Sequence, residues 1–509
     1  MSSPATKAAP SARLLNRMLN GIERLGNRLP DPFMIFVYLG LVVILTSVLM
    51  SAFDASVVHP SSGDTLEIRS LLSGEGLRFI FGSMLTNFTG FAPLGLVLAM
   101  MLGIGLAEKL GMLEVLMRRT VLNAPRAIVT YVIALTAMLG NLASDAAMVL
   151  LPPLAAMVFH AIGRHPIAGL TLGFGTAGAG FTANFLIVGT DALLSGISTA
   201  AAQIIEPGFI VTPVDNWYFN SLSVVVLTIV AAQINDRLIE PRLGEYRGEA
   251  TQVDYQEPPH AGRALRNAGI TAVCYIAALV TLVAWPGSPM RNEEGGLLPS
   301  PFLSSIIPFI LLFFIATSVA YGKTTGQIKS AHDVVAKMTE AIRDLAGYIV
   351  LIFAAAQFIA YFSWSHIGTW VAIHGAEVLT EIGFTGLPVI LSFILLTSML
   401  NLLITSGSAM WALMAPVSIP MLMQLGYHPG FIQMAYRVGD SSTNIISPLN
   451  PYVMVVLGFM RRYDPDAGLG TLIALMLPYA ISFLIVWMLM LSAFVLLDLP
   501  FGPGIFPML

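Results

Sequence analysis

The sequence predicts an all-α polytopic membrane protein. Apolar residues make up 56% of the 509 positions and charged residues only 11%, whereas soluble domains carry roughly 25% charged residues. The mean hydropathy is +0.79. Apolar stretches near or above the length that crosses a bilayer recur along the chain, at residues 33–53, 91–107, 217–235, 267–285, 301–321, 346–362, 385–400 and 470–498.

The first apolar stretch, 33–53, predicts an uncleaved transmembrane helix. It follows a polar and basic segment, 1–30, and is too long for the apolar region of a signal peptide. We therefore expect the chain to start with a cytoplasmic segment that leads directly into the membrane.

The single cysteine, Cys274, excludes a disulfide framework.

The distribution of basic residues predicts the orientation. Lys and Arg concentrate in alternate connections, with five in 1–28, four in 109–126, five in 237–266, four in 323–343, and Arg461 and Arg462. The connections between these are poor in Lys and Arg, and none follows Arg462. By the positive-inside rule, the N-terminus is expected in the cytoplasm and the C-terminus outside, after an odd number of crossings.

A polar segment, 236–266, contains three prolines and five arginines and predicts a cytoplasmic linker. It divides the chain into two membrane halves, 31–235 and 267–509. Both halves contain a G-x-H-P motif, GRHP at 163–166 and GYHP at 426–429. At the same offset, Pro153 matches Pro416. We therefore predict an inverted structural repeat with one hairpin and one broken helix in each half.

Segments rich in glycine and hydroxyl residues follow each motif, GFGTAGAGFTAN at 173–184 and VGDSSTN at 438–444. Paired, interrupted apolar segments at equivalent positions are typical of transporter binding sites. Broken helices expose backbone groups, which is tolerable in a membrane only where they line a cavity. We predict that the breaks fall at these glycines, Gly173, Gly175, Gly178, Gly180 and Gly439. The alternative is that the glycines only allow close helix packing.

Oxygen-bearing side chains cluster around these segments, as a site for a hard cation such as Na⁺ requires. The candidates are Asn141, Ser144, Asp145, Asn184, Asn401, Ser406, Asp440 and Asn444. Among them we expect Asp145, Asn184, Asn401, Asp440 and Asn444 to be possible Na⁺ ligands. A buried asparagine can instead serve as an interhelical hydrogen-bonding group.

Arg437 and Asp440 are charges within an apolar segment, where each costs about 2.5–3.5 kcal/mol at a helix centre. Their i, i+3 spacing allows them to neutralise each other and only to fix packing. The functional alternative is that Arg437 binds an anionic group and Asp440 binds a cation or carries a proton. Asp191 is a second candidate for proton carriage, or else it caps a helix that begins near Ala192.

Four segments resemble the AbgT-type aminobenzoyl-glutamate transporter family, and the resemblance spans essentially the whole chain. They are GNLASDAAMVLLPP (140–153), GTAGAGFTANFLIVGTD (175–191), NLLITSGSAMWALMAPVSIPM (401–421) and YRVGDSSTNIISPLNPY (436–452).

The resemblance implies a homodimer in the bacterial inner membrane, with about nine transmembrane helices and two re-entrant hairpins per protomer. It implies import of p-aminobenzoyl-glutamate or export of sulfonamide antimetabolites, coupled to a proton or sodium gradient. No cofactor beyond a possible Na⁺ and no nucleic-acid partner are expected. The positions that match the family's functional residues are Asp191, Asn401, Ser408, Trp411, Pro429, Arg437 and Asp440.

The implied substrate suits two of these residues. A glutamyl carboxylate suits the planar guanidinium of Arg437. An aminobenzoyl ring suits stacking on Trp411, although an aromatic residue at a hairpin tip can also belong to an interfacial belt.

Three other classes of protein compete with this interpretation. A sodium-coupled dicarboxylate carrier shares such hairpins and is the main alternative. An intramembrane aspartyl protease is disfavoured, because position 437 of the sequence RVGD is Arg where a GxGD motif has Gly. A passive channel does not require paired broken hairpins. We therefore expect a transporter and not an enzyme.

Overall fold

The computed structural model describes residues 30–58, 63–143, 146–246, 248, 258–297 and 300–509. Nearly all of the predicted N-terminal segment 1–30 and the middle of the predicted linker 236–266 lie outside the described residues. The described chain is helical apart from one antiparallel strand pair, Ser56–Val58 (β1) and Thr65–Glu67 (β2).

Ten α-helices form the first half of the described chain. They are α1 Pro32–Ala52, α2 Gly74–Thr89, α3 Ala92–Lys109, α4 Met112–Leu122, α5 Val129–Leu139, α6 Ala146–Ala161, α7 Pro166–Ala179, α8 Gly189–Ala202, α9 Trp217–Ile234 and α10 Glu240–Leu243. A π-helical turn, Asn235–Ile239, joins α9 to α10. The helical run that begins at Trp217 therefore extends into the predicted linker 236–266.

The second half of the described chain contains eleven α-helices. They are α11 Ala261–Ala284, α12 Pro301–Ser304, α13 Ile306–Thr325, α14 Ala331–Asp344, α15 Ala346–Trp364, α16 Ile367–Glu381, α17 Leu387–Asn401, α18 Gly407–Gln424, α19 Pro429–Thr443, α20 Pro451–Met460 and α21 Leu469–Leu496. The boundaries of the two halves stay a prediction.

The predicted all-α polytopic architecture is confirmed. Seven helices of the described chain are long and apolar enough to cross a bilayer, or up to nine if each of two bent pairs is one span. One pair bends by 106° between α4 and α5, and the other by 40° between α19 and α20.

Both halves contain the same order of elements, which we name for use below. The first hairpin is α5 and α6, with the described part of its tip at 140–143, and the first broken helix is α7 and α8 with its break at 180–188. The second hairpin is α17 and α18 with its tip at 402–406, and the second broken helix is α19 and α20 with its break at 444–450. This order fits the predicted repeat, while its inversion across the membrane stays a prediction.

The two G-x-H-P motifs build the same turn between hairpin and broken helix. Gly163 and Gly426 have φ angles of +83° and +87°, which favour glycine. The rings of His165 and His428 cap the next helix, since Nδ1 accepts from the backbone N–H two residues on at 3.2 and 3.0 Å. The proline then occupies the first helical turn, where its missing N–H is not needed.

The predicted helix breaks are wrong at Gly173, Gly175, Gly178 and Gly439, whereas the break predicted at Gly180 coincides with the end of α7. Helix α7 runs without interruption through Gly173 and Gly178, and Gly439 lies inside α19. A Cβ on Gly178 would lie 2.4 Å from Ile445 Cγ2, and one on Gly439 would lie 2.6 Å from a carbonyl oxygen of α17. These glycines therefore allow close helix packing, which was the alternative.

In each half, the G-x-H-P turn lies at the end of the hairpin opposite its tip, and we call it the outer turn. A charged cluster fixes the outer turn of the first hairpin. The guanidinium of Arg164 donates to Glu240 and to Asp236, which lie at the end of the helical run from Trp217. It also donates to Thr130 Oγ1 at 2.7 Å and lies 4.0 Å from the ring centroid of Phe159. Since Thr130 lies on α5 and Phe159 on α6, Arg164 ties both helices of the first hairpin to this helical run.

Candidate functional site

The tips of both hairpins and the breaks of both broken helices meet around one cavity of about 590 Å³. Its lining includes Asn141 and Leu142 from the first tip, Phe181 and Thr182 from the first break, Thr405 to Ser408 from the second tip and the start of α18, and Asp440, Asn444 and Asn450 from the second broken helix. All four elements therefore contribute residues to this cavity.

Hydrogen bonds hold the walls of the cavity together, both between the two halves and within the second half. Thr182 of the first break and Ser441 of α19 join their hydroxyl oxygens at 3.0 Å. Asn401, at the end of α17, donates from Nδ2 to the backbone oxygen of Asp440 and to Thr443 Oγ1, the latter at 3.1 Å. The second hairpin is thus seated on the second broken helix.

Among the described residues, the charged side chains that line the cavity are all acidic: Glu108, Asp344 and Asp440. Asp344 forms an ion pair with Lys109, with 2.5 Å between Oδ2 and Nζ. Asp440 is buried, with 8% of its surface exposed. Gly407 leaves room for the Asp440 carboxylate, because a Cβ on Gly407 would lie 2.6 Å from Asp440 Oδ2. The cavity is therefore suited to a cation in this conformation.

Arg437 lies behind the cavity wall and pairs with Asp191 instead of Asp440. Arg437 Nη2 and Asp191 Oδ1 are 2.6 Å apart, and the two side chains are 0% and 3% exposed. This excludes a self-neutralising pair within α19. The contact is close but not aligned as a hydrogen bond, so none of the guanidinium nitrogens of Arg437 has a hydrogen-bond partner within the described residues.

Asp191 also helps to cap its own helix, although that helix begins at Gly189, three residues before the predicted start, and Asp191 is its third residue. Its Oδ2 accepts from the backbone N–H of Val188 at 2.7 Å, at the start of α8. One carboxylate oxygen thus holds the helix terminus and the other faces Arg437. The ion pair joins the first broken helix to the second.

Trp411 is fully buried, so it does not belong to an interfacial belt. Its ring stacks on Tyr436 with 4.3 Å between centroids, and its Nε1 donates to Ser198 Oγ at 3.0 Å. Tyr436 in turn donates to the backbone oxygen of Gly407 at 2.5 Å. In this conformation the ring supports the second hairpin tip, and stacking on a substrate stays a prediction.

The remaining predicted site residues divide by position. Ser408 and Asn444 line the cavity, whereas Asn184 and Asn401 are buried in its walls. The Nδ2 of Asn184 and the Oδ1 of Asn401 have no hydrogen-bond partner within the described residues. Pro429 lies in the outer turn at the start of α19 and is not among the lining residues, and Asp145 lies outside the described residues.

Sequence reasoning missed a chain of buried polar groups beside the ion pair. Ser198 donates to Gln433 Oε1 at 2.6 Å, Gln433 donates to Asn216 Oδ1 at 2.8 Å, and Asn216 donates to the Gly430 carbonyl at 2.7 Å. A usable signal was Gln433, a polar residue one helical turn before Arg437 and therefore on the same helix face.

The spanning helices and the cavity between paired hairpins and broken helices define a multi-pass membrane transporter. The chain matches the AbgT putative transporter family over residues 17–509. It is 43% identical over 501 residues to the p-aminobenzoyl-glutamate transport protein of Escherichia coli (strain K12), covering 98% of this chain and 99% of that protein. The chain therefore belongs to the AbgT family, as the four sequence segments predicted.

Two solved structures share the fold. The Alcanivorax borkumensis YdaH transporter superposes with a TM-score of 0.90 at 40% identity, covering 93% of this chain and 100% of that chain. Neisseria gonorrhoeae MtrF, described as illuminating a class of antimetabolite efflux pumps, superposes with a TM-score of 0.89 at 38% identity, covering 96% of this chain and 100% of that chain. The relatives are transporters, and the family is not one of enzymes.

Proposed function

We propose that this protein is a secondary active transporter of p-aminobenzoyl-glutamate or of sulfonamide antimetabolites, coupled to a proton or sodium gradient. The observation that carries the proposal is the buried Arg437–Asp191 pair beside an acidic cavity. The volume of about 590 Å³ suits a drug-sized ligand. The first substrate is supported by the Escherichia coli relative, a p-aminobenzoyl-glutamate transport protein. The second is supported by MtrF, which represents a class of antimetabolite efflux pumps.

Arg437 is the anion-binding group in this proposal. Its guanidinium nitrogens have no hydrogen-bond partner within the described residues, and its one close anionic contact, with Asp191, is poorly aligned. A substrate carboxylate that replaced Asp191 would gain a bidentate, charge-assisted contact. Asp191 would then be free to accept a proton.

Asp440 is the coupling group. It lines the cavity together with Asn444, one helical turn later, and with Asn141, whose amide atoms have no partner within the described residues. These groups offer the oxygens that Na⁺ prefers. Asn401 and Asn184 would complete the ligand set from the walls.

One coupled charge suffices for useful accumulation of an uncharged substrate, and each carboxylate of a substrate offsets one coupled cation. Moving one charge through 100 mV is worth about 2.3 kcal/mol. At 1.4 kcal/mol for each tenfold step, this supports roughly a fifty-fold gradient of a neutral substrate.

We further propose a homodimer in the bacterial inner membrane, with a cytoplasmic N-terminus and a periplasmic C-terminus. The basic residues in alternate connections support the orientation. Helix α11 has an apolar surface that lipid or a second protomer would cover, because only 6% of its most apolar stretch of 18 residues is buried within one chain.

Flux measurements in liposomes test the proposed function. Labelled p-aminobenzoyl-glutamate is followed under imposed Na⁺ and H⁺ gradients, applied separately, with the purified protein and with Asp440→Asn and Asp191→Asn. We expect one gradient to drive accumulation and Asp440→Asn to abolish that response. Asp215→Asn is the matched control, because Asp215 is buried but does not line the cavity.

Each alternative has its own outcome. Absence of flux under both gradients would show that the secondary-transport proposal is wrong. Competition by succinate, without competition by unlabelled p-aminobenzoyl-glutamate, would favour the dicarboxylate carrier.

A further inference from the structure

Ser198 connects three elements of the site. It lies on α8 two helical turns after Asp191, accepts from Trp411 Nε1 on α18 at 3.0 Å, and donates to Gln433 Oε1 on α19 at 2.6 Å. Helices α8 and α19 are therefore joined twice, once by Asp191 and Arg437 and once by Ser198 and Gln433.

The direction of these hydrogen bonds is fixed. An indole N–H can only donate, and the Gly430 carbonyl at the other end can only accept. The Ser198 hydroxyl must therefore donate to Gln433, whose amide nitrogen donates to Asn216. All four side chains, from Trp411 to Asn216, are at most 1% exposed, so water does not compete with them.

The chain of contacts continues from Trp411 to the cavity. The Trp411 ring stacks on Tyr436, and the Tyr436 hydroxyl donates to the Gly407 backbone oxygen. Gly407 adjoins Ser408 in the cavity wall and lies beside the Asp440 carboxylate, which a Cβ on Gly407 would meet at 2.6 Å. A shift of Trp411 would therefore move the second hairpin tip relative to Asp440.

We infer that Ser198 and Gln433 are positioning residues of the transport site. They hold Trp411 in a fixed position relative to the Asp191–Arg437 pair. Through Trp411 they also fix the position of the second hairpin tip. The inference rests on the proposed function in one respect: when a substrate carboxylate takes Arg437 from Asp191, the Ser198–Gln433 link keeps α8 and α19 together. Substrate affinity then depends on side chains that do not touch the substrate.

The position of the tip can be measured directly. The chain has a single cysteine, Cys274, so Cys274→Ser gives a background in which Ser408→Cys reports accessibility to a maleimide. We expect Ser198→Ala and Trp411→Phe each to raise the labelling rate about three- to tenfold, in line with loss of one net hydrogen bond. The two substitutions together should raise it no further, because Ser198 acts through Trp411.

Ser195→Ala is the matched control. Ser195 lies on the same helix and is equally buried, but its hydroxyl donates only to the carbonyl of Ala192 in its own helix. We expect its labelling rate to stay within twofold of the background. Ser198→Thr, which keeps the hydroxyl, should restore most of the original rate.

Uptake of p-aminobenzoyl-glutamate separates this inference from the proposed function. In the chain without the reporter, Ser198→Ala should raise KM about three- to tenfold and change the maximal rate less. Labelling of Ser198→Ala equal to that of Ser195→Ala, or effects of Ser198→Ala and Trp411→Phe that multiply, would overturn the inference. The expected labelling result in a protein that moves no p-aminobenzoyl-glutamate would uphold the positioning role and refute the proposed substrate.

Discussion

At the scale of single residues, the partner of Arg437 decides how the site is understood. The sequence places Asp440 within reach on the same helix, so local spacing suggests a self-contained pair. The structure instead brings Asp191 from the other half to 2.6 Å from Arg437. A contact between distant segments follows from helix packing, which residue spacing along the chain does not encode. The pairing of Arg437 with Asp191 could therefore not be predicted from spacing, and the roles of these residues in transport stay a prediction.

The Arg437–Asp191 pair predicts a distinctive pattern of stability. Removing one partner of a buried ion pair typically costs about 3–5 kcal/mol, because the other charge is left uncompensated. We expect Arg437→Met and Asp191→Leu each to unfold at a lower temperature than the original protein. The double variant should recover the part of the loss that comes from the uncompensated charge, since two apolar side chains leave no buried charge, but not the part that comes from the lost cap on Val188.

Thermal unfolding in detergent, paired with flux measurements, checks this pattern. All three variants should lose transport of p-aminobenzoyl-glutamate, because the anion-binding group or its proton partner is missing. A double variant no more stable than the weaker single variant would contradict the paired role.

Gly407 predicts the sensitivity of the coupling group. A Cβ at this position would lie 2.6 Å from Asp440 Oδ2, so Gly407→Ala must displace the carboxylate. We expect the cation concentration that gives half-maximal flux to rise about tenfold, equivalent to about 1.4 kcal/mol. Gly458→Ala is the control, because Gly458 is helical and an added Cβ would meet no described atom within 4 Å beyond its chain neighbours and the backbone of its own helix. Equal cation dependence in the two variants would exclude Asp440 as the coupling group.

At the scale of elements, the two G-x-H-P motifs were more informative than the glycine-rich segments. Glycine with positive φ, a capping histidine and a first-turn proline each have one local structural reason, so the outer turns could be predicted from sequence. Glycines inside an apolar segment are ambiguous, because they suit both a break and a close helix crossing. The breaks begin at Gly180 and Asn444, where the helices α7 and α19 end.

The outer turn of the second hairpin predicts a pH-dependent stability. Asp215, just before α9, is buried against this turn, and burial raises the pKa of its carboxyl to about 7 despite the hydrogen bond from Thr212. Burial lowers the pKa of the neighbouring His428 to about 4. The folded state therefore favours the neutral form of both groups.

The two groups give slopes of opposite sign. The Asp215 contribution to the free energy of unfolding is full below the ordinary carboxyl pKa of about 4 and is lost as pH rises to about 7. The His428 contribution is full above the ordinary pKa of about 6.5 and is lost as pH falls to about 4. Between these limits the two slopes oppose each other.

Single variants separate the slopes in thermal unfolding from pH 4 to pH 8. Asp215→Asn should leave a protein that gains stability as pH rises to about 6.5. His428→Asn, which keeps a capping oxygen, should leave a protein that loses stability as pH rises to about 7. Identical pH profiles in both variants would show that these two groups do not control the stability of the turn.

At the scale of the whole molecule, the apolar composition and the lengths of the apolar stretches predicted the architecture, because a bilayer requires both of any helix that crosses it. Each spanning helix must satisfy its backbone internally and present apolar side chains to lipid, which the sequence records directly. Which helices move together is not recorded in this way. The structure supplies a starting point, because α16 packs against α18 of the second hairpin.

We predict that the hairpins and broken helices move as one core against the remaining helices during transport. Gly375 of α16 faces Met421 of α18, because a Cβ on Gly375 would lie 2.8 Å from Met421 Sδ and 3.3 Å from Met421 Cγ. Because Cγ marks the position of a cysteine sulfur, the pair Gly375→Cys and Met421→Cys is close enough for a disulfide. In the Cys274→Ser background, oxidation of this pair should stop flux of p-aminobenzoyl-glutamate and leave its binding intact.

Reduction of the cross-link should restore flux, and each single cysteine should be insensitive to oxidation, which separates restraint from damage. The cross-link lies in the packing between α16 and α18, and neither residue lines the cavity, so loss of binding is not expected from local effects. Movement of the second hairpin past α16 would carry the tip and Asp440 together, because Asn401 and Tyr436 bind them to each other. Undiminished flux through the oxidised protein would therefore exclude relative motion at this contact and require a mechanism in which only the hairpin tips open.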